Sequence, residues 1–503
     1  MDNRIEERKN FYSQKLDISN ERENHSLSLR KKKLENNYLK RRMNNLEEYE
    51  NISKYKINAK LLNINEEYKK LSFQSLKETL DGCDRILTND NKKDNIYFAI
   101  LYLQKIQFKS DDTTLLQSNI PKHLFSLLKK YIDDIILVNE VLTIRITITF
   151  FCKIEICYFF SEISFLNLYN QLLNKYINND TIIFDLITIF GNLSCGNYKI
   201  QKLFYETKMV EVIKKLYDST LIGDKKREYY VWFFACFMNN IQINYYFKEN
   251  IDFFIWGINF FCENIIYEQM THYCLLGMSY LCNVENKKVI NYILSKDNFF
   301  NYILSLPSKY FEIICRILCD ISSINDEINL LIIKKYNLTE FILRGLNSQL
   351  IKFQISTLYL LNNYVNDENK EIKKILLDNG IINKILELSK SYITSVVHSS
   401  LLCISSLLLN SSDEMIYILY QKKIIGIIME IISKNYDVKI LEIALDSIIS
   451  ILKRDNSNDL YKRQFENYGI SELLSKIYIE KKNKNIEKIA GQLLQEYFSS
   501  PLN

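Results

Sequence analysis

Few residues in this 503-residue chain are placed for covalent chemistry. The four histidines stand at positions 25, 123, 272 and 398, without the spacing of a metal site. The 11 cysteines are scattered, with no CxxC pair. No nucleophile stands with a base, and GNLSCGN at 191–197 lacks the lysine of a phosphate loop. An enzyme therefore has no support, and neither cofactor nor metal is expected. What does recur is a set of single residues in apolar segments: Asn192, Cys236, Tyr280, Asp320, Asn363 and Ser406, separated by 44, 44, 40, 43 and 43 residues. Residues at such regular intervals suit repeated non-covalent contact. An asparagine offers one acceptor and two donors, enough to hold the backbone of another chain. An aromatic residue four positions earlier shares its helical face, as Trp232 does before Cys236 and Tyr359 before Asn363.

The elements that must carry these residues are helical. The chain has 11 Gly and 3 Pro, too few for the turns of a sheet-rich fold, and its 47 % hydrophobic and 25 % charged residues are those of a chain that builds a core. The recurrent segments are ITIFGNLSCGN, VWFFACFMNN, LLGMSYLCN, CRILCDISS, LYLLNNYVN and LLCISSLLLN. Each reads as an apolar helix with a small or polar residue near its middle. A second type follows in most periods: KMVEVIKKLY from 208, NGIINKILEL from 379, KKIIGIIMEII from 422 and YGISELLSKI from 468. It reads as an amphipathic third helix. One such unit cannot bury its apolar face alone, so neighbours stack into a continuous core. The period predicts an all-α, armadillo-type array from residue 71 to the C-terminal end, with about nine to ten repeats. Two long uncharged runs, Tyr229–Phe247 and Ser391–Ser412, carry enough Asn, Gln or Ser to read as buried helices and not as membrane spans. Cys315 and Cys319, four apart, read as small core residues.

The net charge of +5 is unevenly placed. Residues 1–45 hold 12 Lys or Arg against 7 Asp or Glu, and the remainder balances. Residues 46–70 form a polar linker. Between Leu27 and Arg42, apolar residues at helical spacing alternate with Lys and Arg, the pattern of a basic amphipathic helix. An isolated helix of that length is marginal in water, so this arm is expected to be largely disordered until an acidic partner orders it. The absence of an apolar leader and the unpaired cysteines predict a reducing compartment. The electroneutral body disfavours direct nucleic-acid binding.

Leu29–Arg42, LRKKKLENNYLKRR, resembles the importin-beta-binding segment of the importin alpha family, and Phe11 and Asp17 match its entry. GNLSCGN, LGMSYLC, CRILCDIS, LEIALDSIISILK and the final IEKIAGQLLQEYF resemble successive repeats of that family in order. The resemblance implies a right-handed superhelical armadillo solenoid that acts as a nuclear import adaptor shuttling between cytoplasm and nucleus. It implies a concave groove holding a basic nuclear-localisation peptide through Asn192, Trp232, Tyr280, Arg316, Asp320, Tyr359 and Asn363. It assigns Phe11, Leu29, Arg30, Lys31, Lys32, Lys33, Leu39, Lys40, Arg41 and Arg42 to importin beta binding and to autoinhibition of the groove. The implied partners are importin beta, basic cargo and, at the C-terminal repeats, a nuclear export receptor. The ladder is only partly kept: Cys236, Ser406 and Thr147 replace asparagine, and Thr188, Leu276 and Leu402 stand where the family has tryptophan. Gly196 stands where it has an acid. Two functions therefore stay open: an import adaptor, or an armadillo scaffold whose groove no longer takes basic peptides.

Overall fold

A computed structural model describes residues 62–104, 114–151, 160–194, 198–221, 226–239, 251–282, 287–323, 326–434, 438–455, 459–480 and 483–498. The arm positions from Phe11 to Arg42 lie outside the described residues. All regular structure among the described residues is helical. No described helix is long and apolar enough to cross a membrane. The uncharged runs contribute the helices Lys226–Phe237 and Thr394–Asn410, each with most of its side chains buried.

The described residues divide into two compact units, one ending at Leu281 and one beginning at Cys282. In the second unit the repeat is complete five times. Each repeat has two short helices and a longer inner one, as in Asp326–Lys335, Leu338–Leu346 and Ile351–Val365, followed by Lys370–Asp378, Ile381–Leu388 and Thr394–Asn410. In the first unit the same triplet is seen in Tyr198–Glu206, Met209–Ser219 and Lys226–Phe237. The inner helices pack in series: Ile135–Phe151 against Asp180–Ser194 and that against Lys226–Phe237, and in the second unit Phe311–Ser322, Ile351–Val365, Thr394–Asn410 and Val438–Leu452. The recurrent segment read as a third helix is the second of each triplet. A short helix such as Tyr198–Glu206 precedes it, and its nine residues are too few to show a helical period by themselves.

The turn between the first two helices has a local cause. Lys208, Gly380, Lys423 and Gly469 all stand immediately before the second helix, with φ of 57°, 74°, 63° and 75°. This is the left-handed region, which costs a residue with a Cβ about 1–2 kcal/mol and glycine almost nothing. Lys423→Gly is therefore expected to stabilise its repeat by roughly 0.5–1 kcal/mol after the larger unfolded-state entropy of glycine is set against the relieved strain. Gly380→Ala should destabilise by about 1 kcal/mol, although the position of its Cβ is open space. Hydrogen exchange of Ile381–Leu388 and Ile424–Ser433 reads both effects locally, and faster exchange in Lys423→Gly or slower exchange in Gly380→Ala would contradict them.

Polar side chains on the first helices tie one repeat to the next. Gln201 is fully buried, and its amide donates to the carbonyls of Phe237 at 2.8 Å and Asn239 at 2.7 Å, at the end of the next inner helix. Asn329, also fully buried, donates to Asp367 at 3.2 Å. Lys373 is 2 % exposed and donates to the carbonyl of Asn410. Burial lowers the Lys373 ammonium to about 8, against the opposing pull of Asp367 and Glu368. Because the folded-state value lies below the unfolded one, the unfolded chain holds the extra proton between about pH 8 and 10.5, and stability rises with pH across that window. The stability of the wild type relative to Lys373→Met should climb by on the order of 3 kcal/mol between those limits. A flat difference in denaturation midpoints would contradict the buried charge.

Candidate peptide-binding groove

The inner helix Asp180–Ser194 buries Ile182, Ile183, Leu186, Ile187, Ile189 and Phe190, and leaves Thr181, Phe184, Thr188 and Asn192 partly accessible. Those four stand three or four apart, so they form one stripe along the helix. On Lys226–Phe237 the matching positions are Tyr229 and Trp232, both half-buried. Trp232 reaches back onto the preceding inner helix. A Cβ built on Gly191 would lie 2.4 Å from Cζ3 and 2.5 Å from Cη2 of its indole, closer than any real contact. The missing side chain of Gly191 is thus the seat of the Trp232 ring, which lies next to the partly accessible Asn192. Sequence reading singled out both Asn192 and Trp232 but passed over Gly191 as one glycine of GNLSCGN.

Other positions of the ladder are turned inward. Cys236 is 7 % exposed and Tyr280 is 3 % exposed. Tyr280 therefore belongs to the core, which corrects its placement in a peptide-facing row. The physical reason is close helix packing: the absent Cβ of Gly277 is replaced by the ring of Phe261, with Cζ at 2.2 Å, and the helix from Gly277 to Leu281 is buried on every side. The side chain of Thr147 lies outside the described residues.

In the second unit Arg316, Asp320 and Tyr359 are half-buried. Asn363 is 8 % exposed and commits both amide hydrogens within the stack, to the carbonyl of Cys319 at 3.1 Å and Ser322 Oγ at 2.7 Å. This corrects the expectation of a peptide-gripping amide: Asn363 clamps its own inner helix to the preceding one. Ser406 Oγ donates to Asn362 Oδ1 at 2.9 Å, and the Asn410 amide to Asn366 Oδ1 at 2.7 Å, each pair 44 residues apart. The polar ladder of this unit is thus wired into itself. Cys315 is core, and burial pushes its thiol well above the usual range, whereas Cys319 is half-buried.

Two acids that sequence reading did not single out stand in the first unit. Glu140 on Ile135–Phe151 and Asp185 on Asp180–Ser194 are 7 % and 6 % exposed. Each sits one turn before a partly accessible threonine, Thr143 and Thr188 respectively, so they occupy equivalent places on adjacent inner helices. The Gln104 amide donates to the Glu140 carboxylate. Burial, reinforced by the negative charge of Glu140, pushes the Asp185 carboxyl well above the usual carboxylate range. No group of three or more metal-ligating side chains occurs among the described residues.

No protein-family model matches the chain, and a search of curated proteins finds no match in sequence. Among solved structures it is similar to an engineered protein from a structural genomics consortium, with a TM-score of 0.63 at 15 % identity, covering 83 % of this chain and 98 % of that one. It is also similar to a computationally designed armadillo repeat protein for modular peptide recognition, with a TM-score of 0.41 at 15 % identity over 48 % of this chain and 97 % of that one. A designed armadillo repeat protein in complex with the peptide (KR)4 matches with a TM-score of 0.42 at 14 % identity, over 50 % of this chain and 100 % of that one. The likeness over most of the chain is one of fold. The fold is an all-α armadillo repeat solenoid. Its three-helix repeat and its inner-helix stripe are the frame on which the candidate residues stand.

Proposed function

We propose that the protein is a peptide-binding adaptor of the importin alpha type, which holds an extended basic signal peptide along the inner helices of its first unit. Its N-terminal basic segment engages importin beta, and the protein shuttles between cytoplasm and nucleus. The observation that carries the reading is the Trp232 ring seated on Gly191 beside Asn192. An aliphatic lysine stem packs on such a ring with its ammonium over the π face, for about 0.5–2 kcal/mol, and a peptide amide bonds to the asparagine. The scaffold reading is favoured for the second unit alone, where the donors of Asn363 are already committed to Cys319 and Ser322.

Fluorescence anisotropy of a Lys/Arg-rich peptide against the full chain tests this. The Trp232→Ala, Asn192→Ala double variant should bind at least tenfold more weakly, because a lost stacking contact and an unsatisfied amide together exceed about 1.4 kcal/mol. Replacing Lys40, Arg41 and Arg42 with alanine should weaken importin beta binding and strengthen the peptide, since the tethered arm then ceases to compete. Equal peptide binding by wild type and double variant, or none by either, would leave the scaffold reading for the whole chain.

A further inference from the structure

Four successive times in the first unit, the second residue past the helix that precedes an inner helix is a large aliphatic one. These are Ile132 after Ile120–Lys130, Ile177 after Ile163–Lys175, Leu221 after Met209–Ser219 and Ile266 after Ile251–Asn264. Ile177, Leu221 and Ile266 are 48 %, 81 % and 61 % exposed, and Ile132 is partly exposed. Their loops are neighbours. Tyr176 Oη donates to the carbonyl of Ile132 at 2.6 Å, Lys226 pairs with Asp180 at 2.7 Å across the next step, and Tyr217 Oη donates to Asn264 Oδ1 at 2.8 Å across the last. Packed helices stand about 8–10 Å apart, so the four side chains form a row of about 30 Å along the edge where the inner helices begin. Exposed carboxylates of Asp218, Glu263 and Glu268 flank Leu221 and Ile266. Scattered exposed aliphatic residues are ordinary, but one at the same place in successive repeats, rimmed by charge, marks a contact surface.

The N-terminal arm joins the array at one end of this row. Asn63 and Asn65 donate their backbone N–H groups to Asp94 Oδ2 at 3.1 Å and Asn95 Oδ1 at 3.0 Å, in the first turn of Lys93–Gln104. Lys93 of the same turn pairs at 2.5 Å with Asp134, in the loop that carries Ile132. The 19 residues between Arg42 and Leu62 can reach about 65 Å, twice the length of the row. In the arm, Leu27, Leu34 and Tyr38 fall on one helical stripe with Lys and Arg around it. Leu27 and Leu34 are seven residues apart, about 10.5 Å along a helix, which is one step of the row. We infer that Leu27–Tyr38 docks on this edge of its own chain as an amphipathic helix, with Leu27 and Leu34 packed on Leu221 and Ile266 and its basic side chains facing Asp218, Glu263 and Glu268. The surface is the loop edge and its anchors are apolar, so the docked helix leaves the inner-helix stripe at Thr188 and Asn192 open to a peptide. The inference does not depend on the peptide-binding reading, because the row and the arm are present whether or not the groove takes a peptide.

Hydrogen exchange of the full chain, read by mass spectrometry, tests the docking. The amides of Leu27–Tyr38 should exchange about tenfold more slowly in wild type than in a Leu27→Ser, Leu34→Ser variant. A Leu221→Ser, Ile266→Ser variant should lose the same protection, and a saturating Lys/Arg-rich peptide should leave it in place. Both loop positions are exposed, so circular dichroism melts of this variant should match wild type. Leu221→Ser alone, at the most exposed of the four positions, keeps the test decisive if the double variant melts lower, and it too should speed exchange of the arm. Equally fast exchange of Leu27–Tyr38 in wild type and in the arm variant would overturn the docking, as would protection that survives both loop variants. Protection that the peptide removes and the loop changes do not would put the arm in the groove, which overturns the edge docking and leaves the groove reading intact.

Discussion

Gly191→Ala should lower affinity for a basic peptide at least tenfold while leaving the helix content unchanged. Two effects oppose each other at this position. Alanine gains up to about 1 kcal/mol over glycine within a helix, which favours the Asp180–Ser194 helix. Its Cβ, however, would stand 2.4–2.5 Å from the Trp232 ring, and a rigid indole cannot give way as the end of a flexible chain can. Overpacking of this kind costs about 1–3 kcal/mol, so the ring leaves its seat. Because the chain has two tryptophans, the change is read in a Trp256→Phe background, where emission from Trp232 should shift to the red. Unshifted emission with full peptide affinity would mean that the ring and its seat are packing without a role in binding.

The second large effect is expected at Arg145, which heads the large fully buried side chains among the described residues of the first unit. Burial lowers its guanidinium to about 10, so it remains charged at neutral pH, enclosed by three aromatic rings. Arg145→Ala removes both the cation–π contact and most of the volume, and should destabilise the first unit by about 3–5 kcal/mol. Arg145→Met keeps much of the volume and relieves the desolvated charge, so it should lie within about 1.5 kcal/mol of wild type. Guanidinium denaturation followed by tryptophan fluorescence suits this test, since Trp232 and Trp256 both belong to the first unit. Equal losses in the two variants would assign the stability to the charge and not to the packing.

The inner helices were legible because their apolar runs recur with one polar position each, at a spacing that only a helical repeat explains. The second helices were legible from apolar residues at helical spacing in KMVEVIKKLY, NGIINKILEL, KKIIGIIMEII and YGISELLSKI, whereas the left-handed turn before them was not, because a lysine at 208 or 423 carries no sign of it. The polar wiring was not legible. Gln201, Asn329 and Lys373 look like ordinary surface residues of short helices, and their partners lie 36 to 38 residues away, several of them backbone carbonyls that carry no sequence signal. Asn363 shows the complementary difficulty. Its type and period suit a peptide amide, and only the positions of Cys319 and Ser322 reveal that its donors are taken. Glu140 and Asp185 escaped notice because an acid in an amphipathic helix ordinarily faces water.

The proposed function puts a basic peptide along the inner helices of the first unit. Site-resolved photo-cross-linking tests it most directly, using the full chain and a Lys/Arg-rich peptide with a benzophenone at its centre, and mapping the adducts by mass spectrometry. Adducts are expected to concentrate on Asp180–Ser194 and Lys226–Phe237, to be lost on Gly191→Ala and to be competed by unlabelled peptide. Adducts confined to the second unit, or spread over the chain and insensitive to competitor, would contradict it.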